Sequence, residues 1–279
     1  MSRPVHQPLI SDRAIVHLLL ILISALMVVP FVWMVLTAFK SMSEATAIPV
    51  QILPARPRWE NFSALFQSFN FGTMYLNTAL ATVIRVVAQV TFCAMAGYAF
   101  ARLRFPGRDM LFAVVLSVMM IPPVLYIIPK FLLMAQLGWV NSMQGYVVPG
   151  FTSAFGTFLL RQFFRSLPNE LAEAAKIDGS GPFRTFFFIM LPLARPGLVA
   201  FGIFATLWSW NELLWPLIIL NSPEKMTLSV GLATMEGEYV SNYPVMMAGA
   251  LLAVLPMIAL FFVLQRQFIE GIALTGSKG

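Results

Sequence analysis

Six stretches of this sequence, at about residues 14–39, 74–101, 110–134, 144–164, 196–220 and 245–268, are each long and apolar enough to cross a lipid bilayer as a helix. A spanning helix needs about 20 predominantly apolar residues, and each run reaches that length. Of 279 residues, 59% are apolar and 11% charged, whereas soluble domains carry about 45–50% and about 25%. So little polar side chain cannot cover a water-facing globule. The same arithmetic excludes a disordered chain, and a single cysteine, Cys93, excludes a disulfide scaffold. The expected fold class is an all-α integral membrane protein with six transmembrane helices.

The charges give an orientation. The net charge of +6 comes from basic residues clustered between the apolar runs, which suits membrane topology rather than a phosphate-binding stripe and excludes a nucleic-acid partner. With the N-terminus cytoplasmic, 12 of the 18 Lys and Arg residues lie inside, against Lys40, Arg56, Arg58, Lys130 and Lys225 outside, with Arg85 within a span. Both termini are therefore expected in the cytoplasm. Residues 1–13 form one tail, 14–268 a single six-helix domain, and 269–279 the other tail. The first run passes from Arg13 into Lys40 without a small-residue cleavage site, so it reads as a span and not as a signal peptide. Between Lys40 and Thr73, Pro49, Pro54 and Pro57 predict an extended, irregular connection. His6 and His17 are too few for a metal site, and Cys93, within an apolar run, reads as an inert small hydrophobe.

The cytoplasmic connection 165–195 is polar and reads as a helix-turn-helix. Ser166 is placed to cap a first helix with Pro168 in its opening turn, and Glu170 and Glu173 complement the positive end of its dipole. Gly179 fits the left-handed position that closes it. Ser180 then opens a second helix with Pro182 in its first turn, carrying Phe183, Phe186, Phe187 and Ile189 as far as Leu191 and Pro192. Ala174 and Ala175 remove bulk from one face, leaving room for another protein to approach.

Glu173, Ala174, Ala175, Gly179, Ile189, Leu191 and Pro192 fill every fixed position of the pattern Glu-Ala-Ala, three residues, Gly, nine residues, Ile, one residue, Leu-Pro. The loop thereby resembles the signature of permease subunits of bacterial ATP-binding-cassette importers. Residues 33–40, 98–107, 120–123 and 265–271 look like the carbohydrate-uptake branch, and the chain is similar to the second permease of maltose-type and glycerol-3-phosphate-type systems. The ending Thr275, Gly276, Ser277, Lys278, Gly279 departs from that family's Gly-Ala-Val-Lys-Gly-like run. The resemblance implies a multi-pass protein of the bacterial inner membrane. It would form a pathway with a homologous second permease, above two cytoplasmic ATPase subunits that hold ATP and Mg, and receive a sugar from an extracytoplasmic solute-binding protein. The Glu173 loop would be the ATPase-coupling segment.

No G-x-x-x-x-G-K-[ST] loop occurs in the chain, and Gly179-Ser180-Gly181 is neither a dinucleotide fingerprint nor a nucleophile elbow. No cofactor, metal or catalytic residue is expected in this chain. The alternative reading is a secondary transporter driven by an ion gradient, with Arg85 and Glu212 as its coupling charges.

Those two charges need an account, because each costs about 2.5–3.5 kcal/mol at the bilayer centre. Arg85 lies 16 residues before Ala101 and Glu212 lies 16 residues after Pro196, which puts both about 24 Å from the inner boundary at 1.5 Å per residue. They either pair, jointly face a watery pathway, or separately reach carbonyls and the interface. Trp208, Asn211, Glu212 and Trp215 fall at i, i+3, i+4 and i+7, one face of an uninterrupted helix. Flat indoles beside amide and carboxylate groups suit a sugar, although Trp215 also fits an interfacial aromatic belt. Pro122, Pro123 and Pro149 predict kinks.

Overall fold

The computed structural model describes the backbone of residues 10–235 and 242–276 and, Ser68 aside, the side chains of 14–235 and 242–265. Expectations resting on Arg3, Lys278 and residues 277–279 lie outside the described residues. Among the described residues every regular element is helical. The main helices are α1 (Ile10–Ala38), α2 (Phe71–Arg102), α3 (Arg108–Val118), α4 (Ile127–Gln136), α5 (Ala154–Ser166), α6 (Glu170–Ile177), α7 (Arg195–Trp210), α8 (Leu214–Ile219) and α9 (Tyr243–Gly276).

Three helical segments, Ala14–Ala38, Phe71–Arg102 and Tyr243–Gln265, are long and apolar enough to cross a membrane unbroken; counting each bent pair as one span makes five. The third expected span is one such pair, bent by 97° between Val118 and Pro123. There Pro122 and Pro123 withhold two backbone donors. The fourth is divided: a short helix, Met143–Val147, passes through the 3-10 turn Val148–Gly150 at Pro149 before α5 begins. Both kinks follow the prolines that predict them.

The fifth expected span, 196–220, is not one helix. Helix α7 ends at Trp210 and α8 restarts at Leu214. Two local causes are visible. Pro216 has no N–H, and its ring crowds the carbonyl four residues back, at Glu212. The Asn211 side-chain amide also donates to Leu207 O at 2.8 Å, the carbonyl that receives the Asn211 backbone N–H at 3.2 Å. Helix α7 in turn meets the segment Pro182–Leu193 at 77°.

The chain divides into two compact units, Met1–Phe69 with Met235–Val254, and Asn70–Thr234 with Leu255–Gly279. In the first, every described side chain of α1 before Met34 is exposed, an apolar surface suited to hydrocarbon. The connection after α1 is more ordered than its prolines predict. Two short helices, Met42–Ala45 and Glu60–Ser68, form there. Lys40 Nζ donates to Gln51 O at 2.6 Å and lies 4.1 Å from the Trp33 ring. Asn61 Nδ2 donates to Ala38 O and Lys40 O at 2.8 and 2.9 Å. Ser41 and Glu44 form a reciprocal capping box. The backbone amides of Ser41 and Ala55, with the Ser41 hydroxyl, hold the Glu44 carboxyl below the ordinary glutamate range.

The second unit is organised around α2. Gly97 brings its backbone against α5, since a Cβ there would lie 2.9 Å from Arg161 N. Cys93, Tyr98, Leu160, Phe164, Phe186 and Phe201 form the buried core beside that crossing. Cys93 is a buried free thiol, as its apolar surroundings predict.

Candidate functional site

Two constructions in the second unit carry the residues singled out above. The first is the polar loop after α5. Helix α6 carries Glu170 and Glu173 in its first turn, where acidic side chains favour the positive end of the dipole. Its cap differs from expectation. Ser166 is the last residue of α5 and its hydroxyl donates back to Phe163 O at 2.8 Å. Asn169 occupies the cap position without a side-chain capping bond, and Pro168 therefore precedes the helix. The preceding helix runs far enough to claim Ser166 for itself.

The Asn169 side chain is engaged elsewhere, by Arg102. Arg102 Nη1 donates to Asn169 Oδ1, Nε donates to Phe164 O at 2.9 Å, and Nη2 donates to Phe164 O at 2.6 Å and to Leu167 O. One guanidinium thus satisfies carbonyls at the end of α5, where a cation also suits the helix dipole, and holds the entry to α6. Sequence reasoning counted Arg102 only as an orientation charge. Its position four residues after Tyr98, at the foot of a long span, carries no sign of these partners.

The exit from α6 is the expected one. Gly179 has φ +76°. Its N–H donates to Lys176 O at 3.1 Å, and Ser180 N–H donates to Ala175 O at 2.8 Å, the paired bonds of a Schellman turn. The second helix begins at Pro182 with Gly181, not Ser180, as its cap. It passes through a π turn over Phe186–Met190 and ends with Leu191–Leu193. Glu173, Ala174 and Gly179 are exposed, whereas Ala175 is buried and Ile189 and Leu191 are half-buried. The Ala pair therefore divides its roles: Ala174 leaves space on the surface, and Ala175 packs inward. Exposed Ile177, Phe183 and Phe188 add apolar area to the same loop. Among the described residues the Glu173 side chain makes no hydrogen bond or ion pair.

The second construction lies at mid-depth on α2. Arg85 Nη1 donates to Glu212 Oε2, an ion pair whose side chains are 10% and 25% exposed. Of the alternatives left open by equal depth, the structure has the pair. Glu212 sits in the break between α7 and α8, so the interruption that removes it from a helix presents it to Arg85. The guanidinium lies on Gly150, where a Cβ would come within 2.4 Å of Nε, and 5.2 Å from the Tyr146 ring. Gln89, one turn along α2, donates from Nε2 to Gly150 O at 2.6 Å. Arg85 and Gln89 thus brace, from a single unbroken helix, the segment before α5 at Gly150 and the break between α7 and α8 at Glu212. Thr82 Oγ1, Arg85 Nε and Gln89 Oε1 are buried without a partner among the described residues.

The four-residue helical face is not present. Trp208 is 52% exposed on α7, packed edge-on to Phe155 at 5.3 Å. Asn211 is exposed at the break. Trp215, on α8, is 3% exposed; its indole N–H donates to Gly145 O at 3.2 Å and its ring lies 3.6 Å from Lys130 Nζ. The turn at 211–213 separates Trp208 on α7 from Trp215 on α8, so the four residues do not share one helix. Among the described residues no three of His, Cys, Asp and Glu lie together as a metal site would require.

Residues 90–272 match the family described as binding-protein-dependent transport system inner membrane component. The chain is 35% identical over 260 residues to the arabinooligosaccharides transport system permease protein of Halalkalibacterium halodurans, covering 92% of this chain and 93% of that protein. It is 36% identical over 264 residues to the diacetylchitobiose uptake system permease protein of Streptomyces coelicolor, with 92% and 87% covered. Identity to the sn-glycerol-3-phosphate transport system permease protein of Pectobacterium atrosepticum is 32% over 237 residues, with 82% and 84% covered. A chain from the crystal structure of a bacterial ABC transporter involved in the import of the acidic polysaccharide alginate superposes with a TM-score of 0.82 at 26% identity. That match covers 95% of this chain and 100% of the other.

Proposed function

The chain belongs to the family of binding-protein-dependent transport system inner membrane components, and from that premise we propose how it serves as the permease subunit of an ATP-driven sugar importer. Relatives named for arabinooligosaccharides and diacetylchitobiose support a sugar or sugar-derived solute. In this reading six spans cross the membrane, the divided fourth being the sixth, and both termini are cytoplasmic, as the distribution of Lys and Arg favours. A homologous permease completes the pathway, two ATPase subunits below hold ATP and Mg, and a solute-binding protein delivers the sugar from outside. Ion-gradient coupling is not favoured, because the similar proteins are permeases of ABC systems.

The observation that carries the coupling role is the exposed, unpaired Glu173 on a short helix fixed at both ends. Arg102 secures its entry and the Gly179 turn its exit. A helix held this way transmits displacement as a rigid element. Glu173 and Ala174 meet the ATPase, with Glu173 directed to a basic side chain there. Closing of the ATPases moves α6 and, through Arg102, the feet of α2 and α5. Trp208, Asn211 and Glu212 contribute to the solute pathway, with Arg85 holding Glu212 in place and Trp215 securing α8 from behind.

Purifying the tagged chain in a gentle detergent, followed by mass spectrometry, tests this reading. A second permease and an ATPase are expected to accompany it, and the ATPase is expected to be lost from Glu173→Ala. Retention of a full complement of ATPase by that variant would remove Glu173 from the interface.

A further inference from the structure

Four arginines gather beside the loop that joins α2 to α3, at the end of the second unit where Arg102 meets the polar loop. Arg104 belongs to that connection, Arg108 opens α3, and Arg161 and Arg165 lie one turn apart on α5. The Arg161 guanidinium sits 3.9 Å from the Phe112 ring of α3, which brings the basic face of α5 against this helix. Arg161 is within electrostatic reach of Arg108, Arg165 and Asp109. Asp109 is the acidic group in this cluster, and it pairs with Arg108 at 2.9 Å. Among the described residues the Arg104 and Arg165 side chains have no hydrogen bond or ion pair.

Like charges at this spacing repel, and a fold gains nothing by assembling them without an anion. Two of the four, Arg104 and Arg108, line an open cavity of about 430 Å³ with Phe105, Gly107, Asp109 and Met110, and Arg161 and Arg165 stand beside it. The first turn of α3 opens on it with no side-chain cap, so the positive end of that helix adds to the field. Directly along α3 the surface becomes apolar, with Met110, Leu111 and Val114 exposed. Guanidinium groups match phosphate oxygens in geometry as well as charge. A soluble anion would use the arginines alone, whereas a lipid uses both surfaces. Basic pockets beside transmembrane helices are suited to anionic headgroups.

The geometry points to this cavity as a binding site for the phosphate headgroup of an anionic phospholipid, whose acyl chains lie along α3. The test is native mass spectrometry of the full chain with the subunits that accompany it, titrated with phosphatidylglycerol, with phosphatidylcholine of the same acyl chains, and with inorganic phosphate. Phosphatidylglycerol is expected to bind preferentially. Arg104→Gln combined with Arg165→Gln is expected to lower its affinity about tenfold or more, while Arg58→Gln leaves it unchanged. Both replaced side chains are exposed and make no internal bonds, and an unchanged unfolding temperature verifies that the variant folds. Equal affinity for the two lipids, or undiminished phosphatidylglycerol binding by the double variant, would overturn the site. Inorganic phosphate binding as tightly as the lipid would assign it to a soluble anion and overturn the lipid.

Discussion

Glu173→Lys is expected to abolish solute uptake while leaving the membrane-embedded chain folded. The Glu173 side chain is exposed and has no hydrogen-bond or ion-pair partner among the described residues, so its replacement removes none of this chain's own bonds. A hydrogen bond to a charged group contributes about 1.5–3 kcal/mol, which corresponds to about a 10- to 100-fold loss of docking affinity at about 1.4 kcal/mol per decade. Reversing the charge adds repulsion to that loss. Uptake of labelled solute and ATPase recovery, measured on the same preparation, separate coupling from expression. Gly179→Val is the companion variant. It forces a β-branched residue to φ +76°, at a cost of about 1–2 kcal/mol, and disturbs the exit of α6 without touching its surface. A weakened but not abolished coupling is the expected outcome, read as reduced ATPase retention.

Arg85→Met carries the second large effect, this time on stability. It strands the Glu212 carboxylate and empties the space over Gly150 that the guanidinium fills. Breaking a buried ion pair from one side costs about 3–5 kcal/mol, and the 25% exposure of Glu212 places this case at the lower end. Glu212→Gln is expected to cost less, because a neutral amide still accepts from Arg85. Adding Glu212→Gln to Arg85→Met is expected to recover part of the loss, since no charge is then buried alone. Thermal unfolding of the three variants in detergent gives the coupling. Strictly additive losses would mean that the two side chains do not act as a pair.

The loop was the most legible part of the sequence, because its information is local. Gly179 announces a left-handed residue, Pro182 a first turn, and the acidic pair a helix start, and none depends on distant neighbours. Ser166 misled because a cap is decided by where the preceding helix stops, and α5 continues through it. The brace at Arg102 was out of reach, since its acceptors, the Phe164 and Leu167 carbonyls and the Asn169 side chain, are 62 to 67 residues away. Gly150 is similar: a glycine within an apolar run gains its meaning once a guanidinium lies on it.

The interrupted fifth span was legible in principle. Pro216 stands four residues after Glu212, the spacing at which a proline ring excludes a helical carbonyl. Carrying the period from Trp208 to Trp215 through the turn that this proline interrupts put four residues on a face that the chain does not form. Counting residues from the two expected span ends placed the charged pair at matching positions, and the two side chains do meet. The pair survives the break, and the break is what releases Glu212 toward Arg85.

Solute uptake by proteoliposomes containing the purified complex and its binding protein, with ATP sealed inside or omitted, bears most directly on the central claim. The expected result is uptake only when ATP is present on the side of the Glu173 loop, and none with Glu173→Lys under either condition. Uptake into ATP-free vesicles driven by an ion gradient, with the chain reconstituted alone, would contradict it.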